Sequence, residues 1–271
     1  MGWAGRRSAG YNDSEMLALV FSIVCGANPT AAELAAAWKD LADSGQRSPR
    51  YALPLPTAAD WRQLADGAVI TRRARTDEGG GNRVLAMRFI DQPPVMVWLA
   101  ILDGRHADLP AEYSEWPLKV EPTAKTLYQH LDLPFPIADR HWIIAAQSNG
   151  ELYTRSAKTA WERSWDLDPR GEAALADLPA SVREAAGSSI WTPKNRGAWL
   201  LLAVGWGTLA TYQLETDIGG WLPDDLVTAF ALSTLKSLVD KTAALADREA
   251  VHYNAAHFPI YAPDGTPIVP D

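Results

Sequence analysis

From Asp224 to Asp247 apolar residues recur at helical spacing, through Leu226, Val227, Phe230, Ala231, Leu235, Leu238 and Leu245. This is the longest helical pattern in the chain, and its apolar stripe is broad enough that the helix must lie against a second apolar surface. Asp224 and Asp225 fall in its first turn, where negative charge complements the helix dipole. Whatever precedes the helix must therefore provide a wide apolar platform.

The preceding segment reads mostly as strands. Ala68 to Arg75 and Arg83 to Phe89 flank a run of Asp, Glu, three Gly and Asn, which predicts a hairpin. Pro93 and Pro94 then open a helix that ends near Gly104, since proline is tolerated where amides have no intrahelical acceptor. Strand patterns follow at 115–122, 125–133, 141–148 and 151–158, the last two joined by Asn149-Gly150, a hairpin signal because both turn residues must take positive φ. Further strands are expected at 188–193, 198–206 and 209–217, separated by Lys194–Gly197 and by Gly207-Thr208. Local propensity over Glu172 to Ala186 favours helix. The expected class is α+β, an antiparallel sheet backed by one long C-terminal helix.

Upstream, Thr30 is positioned to cap a helix closed at Gly45. A proline-bearing connector over 48–56 leads to a second helix, Thr57 to Ala65, where Thr57 and Asp60 resemble a capping box. Met16 to Ala27 is an apolar run too short to span a bilayer but of the length of a signal-peptide core. Asp13 and Glu15 lie between Arg6/Arg7 and that run, where a secretory leader is normally positive. Two readings follow: an exported leader, placing the protein in the periplasm or outside the cell, or an apolar helix packed on a cytoplasmic domain. The chain divides into 1–29, the leader or apolar helix; 30–56, helix and connector; 57–250, the main domain; and 251–271, an extended tail over the surface.

Composition narrows the function. A formal net charge of −8 works against nucleic-acid binding, which draws on clustered Lys and Arg, and leaves only transient contact with a membrane. The single cysteine, Cys25, excludes an internal disulfide or a multi-cysteine zinc site. The five histidines are scattered, with His252 and His257 in the tail, and nucleotide, serine-hydrolase and metalloprotease motifs are missing, so no metal, cofactor or catalysis is expected. Twelve tryptophans serve equally as core filler or as walls of an apolar pocket.

The segment 133–144, LPFPIADRHWII, in which Pro134, Phe135 and Pro136 lead through Asp139 to Arg140 opening a strand, resembles the StAR-related lipid transfer (START) domain. Asp217 to Val227, DIGGWLPDDLV, is similar to that family's signature before its C-terminal helix, and Val182-Arg183 with Trp191 and Pro193 is a weaker match that implies a strand. The resemblance covers about Thr57 to Asp247. It implies a helix-grip fold, a curved antiparallel sheet wrapped around the C-terminal helix, enclosing one lipid or other hydrophobic molecule in a monomeric protein. Two positions depart from the pattern. His141 stands where an acidic residue is usual, and Ala146 stands where the steroidogenic members carry a second arginine, which puts cholesterol as ligand in doubt.

The candidate ligand-binding residues are Arg140, His141, Trp142, Trp161, Trp199, Tyr212, Phe230 and Leu235. Arg140 can pair with a phosphate or carboxylate headgroup, or brace a loop. The strand aromatics, Trp206 among them, alternate in direction, so about half face inward. Two other classes stay open: a polyketide cyclase or aromatase type of enzyme centred on His141 with Tyr128 and Glu151, and an interaction domain whose interior is filled.

Overall fold

The computed structural model describes residues 28–44, 56–75, 82–103, 113–133, 135–217, 219, 224–254 and 256–269; the signal-like run at 16–27 lies outside them. Helix α1 (Ala31–Asp43) and helix α2 (Ala58–Ala65) both begin in capping boxes. The Glu33 amide donates to the Thr30 hydroxyl at 3.2 Å while the Thr30 amide donates to the Glu33 carboxylate at 2.7 Å, and Thr57 and Asp60 repeat both distances. Each box satisfies two amides left without intrahelical acceptors.

The strands are β1 (Ile70–Arg75), β2 (Asn82–Ile90), β3 (Tyr113–Val120), β4 (Ala124–Leu131), β5 (Arg140–Ser148), β6 (Ala160–Leu167), β7 (Ile190–Trp191), β8 (Lys194–Val204) and β9 (Gly207–Asp217). They form one sheet in the order β1-β2-β9-β8-β6-β5-β4-β3, antiparallel throughout, with the two residues of β7 running parallel to β5. The expected hairpin is present, Ile70 opposite Met87 and Arg75 opposite Asn82. Helix α3 (Pro94–Leu102) starts on its proline as expected.

Alternation sorts the side chains into two faces. The inner face carries Ala86, Trp142, Ile144, Ala146, Trp161, Trp165, Trp199, Leu201 and Ala210 and packs on α3 and the long helix α6 (Asp224–His252). Leu235, Val239, Ala243 and Ala246 are its buried stripe on α6, and Arg88 of β2 pairs with Asp240 of α6 at 2.5 Å. The outer face is covered over one half by α1 and α2, with Trp38 and Trp61 in contact at 6.2 Å between ring centroids. Over the other half lie a 3₁₀ segment, Gly171–Asp177, and helix α5 (Ala180–Ala186).

Four expectations need correction. Asn149-Gly150 is not a hairpin turn: it opens a short helix, α4 (Gly150–Arg155), and the next strand begins at Ala160. The Asn149 side chain accepts from the Leu152 amide at 3.0 Å and donates to Glu162 at 2.8 Å, so it works as a helix cap tied to β6. Gly150 is required by space, since a Cβ there meets the Pro263 carbonyl at 2.9 Å. Positive φ falls instead on Ala157 and Lys158.

Val182-Arg183 is helical, as propensity indicated, and Arg183 donates to the carbonyls of Ala176 and Leu178. Lys194–Gly197, expected as a separator, is the first part of β8. The tail, finally, does more than cover the surface. Tyr253, Ile260 and Ala262 are buried, the Trp98 indole donates to the Tyr261 carbonyl at 2.9 Å, and the Tyr253 hydroxyl donates to the Ile268 carbonyl at 2.5 Å.

Candidate functional site

Trp161, Arg163 and Trp165 alternate along β6 and therefore share the inner face. Their partners across β8 are Leu201, Trp199 and Gly197, and Trp199 in turn faces Tyr212 of β9. The aromatic rings form two groups on either side of Arg163: Tyr212 lies 4.8 Å from Trp199 and 5.2 Å from Trp165, and Trp161 meets Tyr153 at 4.8 Å and Trp98 at 5.6 Å. On the neighbouring strands Trp142, Gln129 and Glu115 form a polar strip. The Trp142 indole donates to Gln129 Oε1 at 2.7 Å, the Gln129 amide donates to Glu115 at 3.5 Å, and Lys125 Nζ lies 3.6 Å from Glu115.

Arg163 ends this strip. It is surrounded by protein yet keeps accessible surface, and the same holds for Tyr212. Burial lowers the Arg163 guanidinium to about 10, partly offset by the charge of Glu115, so it stays a cation at neutral pH. Its hydrogen bond is to the neutral Ser148 hydroxyl at 3.3 Å, and among the described residues no carboxylate forms an ion pair with it. Burial likewise raises the Tyr212 phenol, which therefore remains protonated.

The residues expected at the site divide into three groups. Trp142, Trp161, Trp199, Tyr212 and Leu235 come together in the inner cluster. The Phe230 backbone belongs to α6, but its side chain lies outside the described residues. Arg140 and His141 lie elsewhere. The Arg140 guanidinium is buried against backbone oxygens, donating to Ala138, to Asp139 at 3.3 Å and to Gly219 at 3.1 Å, which is the geometry of a loop brace. His141 faces the outer layer, where it touches Tyr128 and stacks edge-on with Trp191 at 5.6 Å. Burial lowers its pKa, His130 adds to the effect, and burial pushes Tyr128 up to about 12.

Glu151 is exposed on α4 and paired with Arg155, so His141, Tyr128 and Glu151 do not converge on the inner face. Trp206 also belongs to the outer layer, against Phe89 at 6.0 Å. Among the described residues His130, Asp132 and Asp139 approach metal-ligand spacing, but His130 is engaged by Ser189 and Asp132, and Asp139 accepts from the Leu133 amide.

No family model and no curated protein matches the sequence. Solved structures do. Human STARD10 superposes with a TM-score of 0.56 at 11% identity, over 81% of this chain and 83% of that one. A STAR-related lipid transfer protein fragment from Xanthomonas axonopodis gives 0.53 at 14%, over 66% and 93%. Human StAR-related lipid transfer protein 5 gives 0.52 at 12%, over 80% and 97%. The chain has the START fold. Within that helix-grip architecture the inner face described above is the side of the sheet that α6 closes.

Arg163, Glu115, Lys125, Gln129 and Trp165 were not singled out from the sequence. A signal for Arg163 was present: a lone charge at i+2 from Trp161 and i−2 from Trp165 is a cation on an aromatic strand face.

Proposed function

We propose that this chain binds one hydrophobic molecule between the inner face of the sheet and α6, in a domain spanning about 57–250. The observation that carries the reading is that Arg163 and Tyr212 lie deep in the protein and still retain accessible surface. A side chain surrounded on all sides can keep such surface where it borders a hollow. Aromatic walls with a few convergent polar groups are the usual lining of small-molecule sites.

Burial is worth roughly 0.8 kcal/mol per methylene, so a chain of about fifteen carbons gains on the order of 10 kcal/mol before ordering costs. A membrane offers a lipid a comparable gain. Release and capture between membranes are then close to balanced, and the rate is governed by how the ends of the site open. The ligand-binding residues of this reading are Trp142, Trp161, Arg163, Trp165, Trp199, Tyr212 and Leu235, with Arg140 bracing the loops.

The test is native mass spectrometry of the purified chain followed by solvent extraction. A bound species in the mass range of a lipid, released on extraction, is expected. Protein that carries none, and that takes up no fluorescent lipid from vesicles, overturns the reading and favours an interaction domain with a filled interior.

A further inference from the structure

We propose that the ligand is a mono-anionic amphiphile, a long-chain carboxylate, seated head-inward with its carboxylate on the Arg163 guanidinium beside Ser148. This rests on the reading of the inner face as a ligand site and deepens it. Arg163 has five N–H donors in a planar fork, and its recorded hydrogen bond, to Ser148, is long and neutral. It stands between Trp161 and Trp165 and opposite Trp199, a setting that offers a cation little solvation.

Leaving a charge in such a place is costly unless it is paired. The neighbouring groups do not pair it. Glu115 is the nearby carboxylate, and it is already approached by Lys125 at 3.6 Å and by the Gln129 amide at 3.5 Å. Two cations, Arg163 and Lys125, against one carboxylate leave a single positive charge in the strip. A ligand with one negative charge closes that balance, and a carboxylate matches the guanidinium fork with two parallel hydrogen bonds. The dianion of a phosphate monoester would leave excess negative charge next to Glu115. A neutral sterol or ester would leave the guanidinium without its anion. Because Arg163 sits deep on the central strands, the charged head enters first and the alkyl chain trails toward the aromatic rings and α6.

Calorimetric titration of the full chain with dodecanoate, methyl dodecanoate and dodecyl phosphate tests this. The wild type is expected to bind dodecanoate about tenfold or more tighter than the methyl ester. Arg163→Met should abolish that preference while still binding the ester, and Arg163→Lys should keep part of it. Replacing a buried cation by an apolar side chain is not expected to prevent folding. If the methionine variant does fail to fold, the wild-type ratio and the lysine variant still decide. Equal wild-type affinity for acid and ester overturns the anionic head and leaves the hydrophobic-ligand reading standing. Tenfold tighter binding of dodecyl phosphate overturns the choice of carboxylate. No binding of any of the three overturns the ligand site itself and the inference with it.

Discussion

Arg140 at the head of β5 donates from Nη2 to the carbonyl of Gly219, 79 residues further along the chain, at 3.1 Å. The same guanidinium holds the carbonyls of Ala138 and Asp139, so one side chain ties the loop entering β5 to the loop that leads into α6. Under the proposed function a ligand passes α6, and this tie is expected to set how readily that end of the site opens.

Replacing Arg140 by Met removes this brace and its hydrogen bonds to the Ala138 and Gly219 carbonyls, while the Asp139 carbonyl keeps the Ile190 amide at 2.8 Å. The expected cost is about 1 to 3 kcal/mol in urea unfolding, because the hydrogen bonds of a charged, buried donor are lost. Ligand exchange should become faster at unchanged ligand preference. A variant with wild-type stability and exchange rate means that the brace is not limiting.

Much of this architecture was legible because it is periodic. The α6 stripe with Leu235, the β1–β2 hairpin and the Thr57–Asp60 capping box depend on local spacing, whereas alternation says only that about half of the strand aromatics face inward, and the register places Trp142, Trp161 and Trp199 there. What failed depended on distant parts of the chain. Asn149-Gly150 has the chemistry of a turn, but Glu162 and the Pro263 backbone use the same two residues as a helix cap and a close approach. Arg140 matches a family signature and His141 departs from it, yet a signature does not tell a loop brace from a headgroup ligand, and one step along β5 turns His141 to the outer layer. Arg163 belongs to no motif. Its meaning comes from Ser148, Trp199 and Glu115, which lie on three other strands.

Glu249 on α6 is fully buried, and neither carboxylate oxygen has a hydrogen-bond partner among the described residues. Burial, and then the charge of Asp103, raise its pKa to about 7. Beside it, His257 of the tail places Nε2 3.1 Å from Asp103 and Nδ1 2.7 Å from the Phe258 carbonyl. The folded state therefore holds a proton on Glu249 that the unfolded chain releases near the ordinary glutamate value. Stability from this group is fully present below about pH 4.5 and falls as pH rises to about 7, by on the order of 3 kcal/mol. Glu249→Gln should abolish that slope, matching the wild type near pH 4.5 and exceeding it at pH 8 in urea titrations. Identical pH profiles for the two proteins sink the assignment.

Gly197 sits on β8 under the indole of Trp165, whose Nε1 donates to Asn195 at 3.0 Å. A Cβ at 197 meets Trp165 Cζ2 at 2.4 Å and the Gln213 carbonyl at 2.2 Å. Gly197→Ala must therefore displace the ring or the strand, at a cost of about 1 to 3 kcal/mol. Because Trp165 also packs on Tyr212, the near-UV circular dichroism should change and ligand affinity should fall. Wild-type spectra and stability mean that the ring has room to move.

Glu215 of β9 is the hub of an ion-pair cluster across β2, β9 and β8. Only 2% of its side chain is exposed, and it is paired with Arg83 at 3.1 Å, with Arg196 at 2.9 Å and with Lys194. Burial alone raises a carboxyl, but the hydrogen bonds from Arg196, Lys194 and Arg83 outweigh it and hold this one at about 2. Its contribution is present above the ordinary glutamate value and is lost as pH falls from about 4.5 toward 2. Removing the charge leaves three cations around a neutral amide. Glu215→Gln should therefore destabilise the fold by about 3 kcal/mol at pH 7 and by much less near pH 2, where the wild type is itself becoming protonated. Equal loss at both values would mean that packing, rather than charge, holds β2, β8 and β9 together at this point.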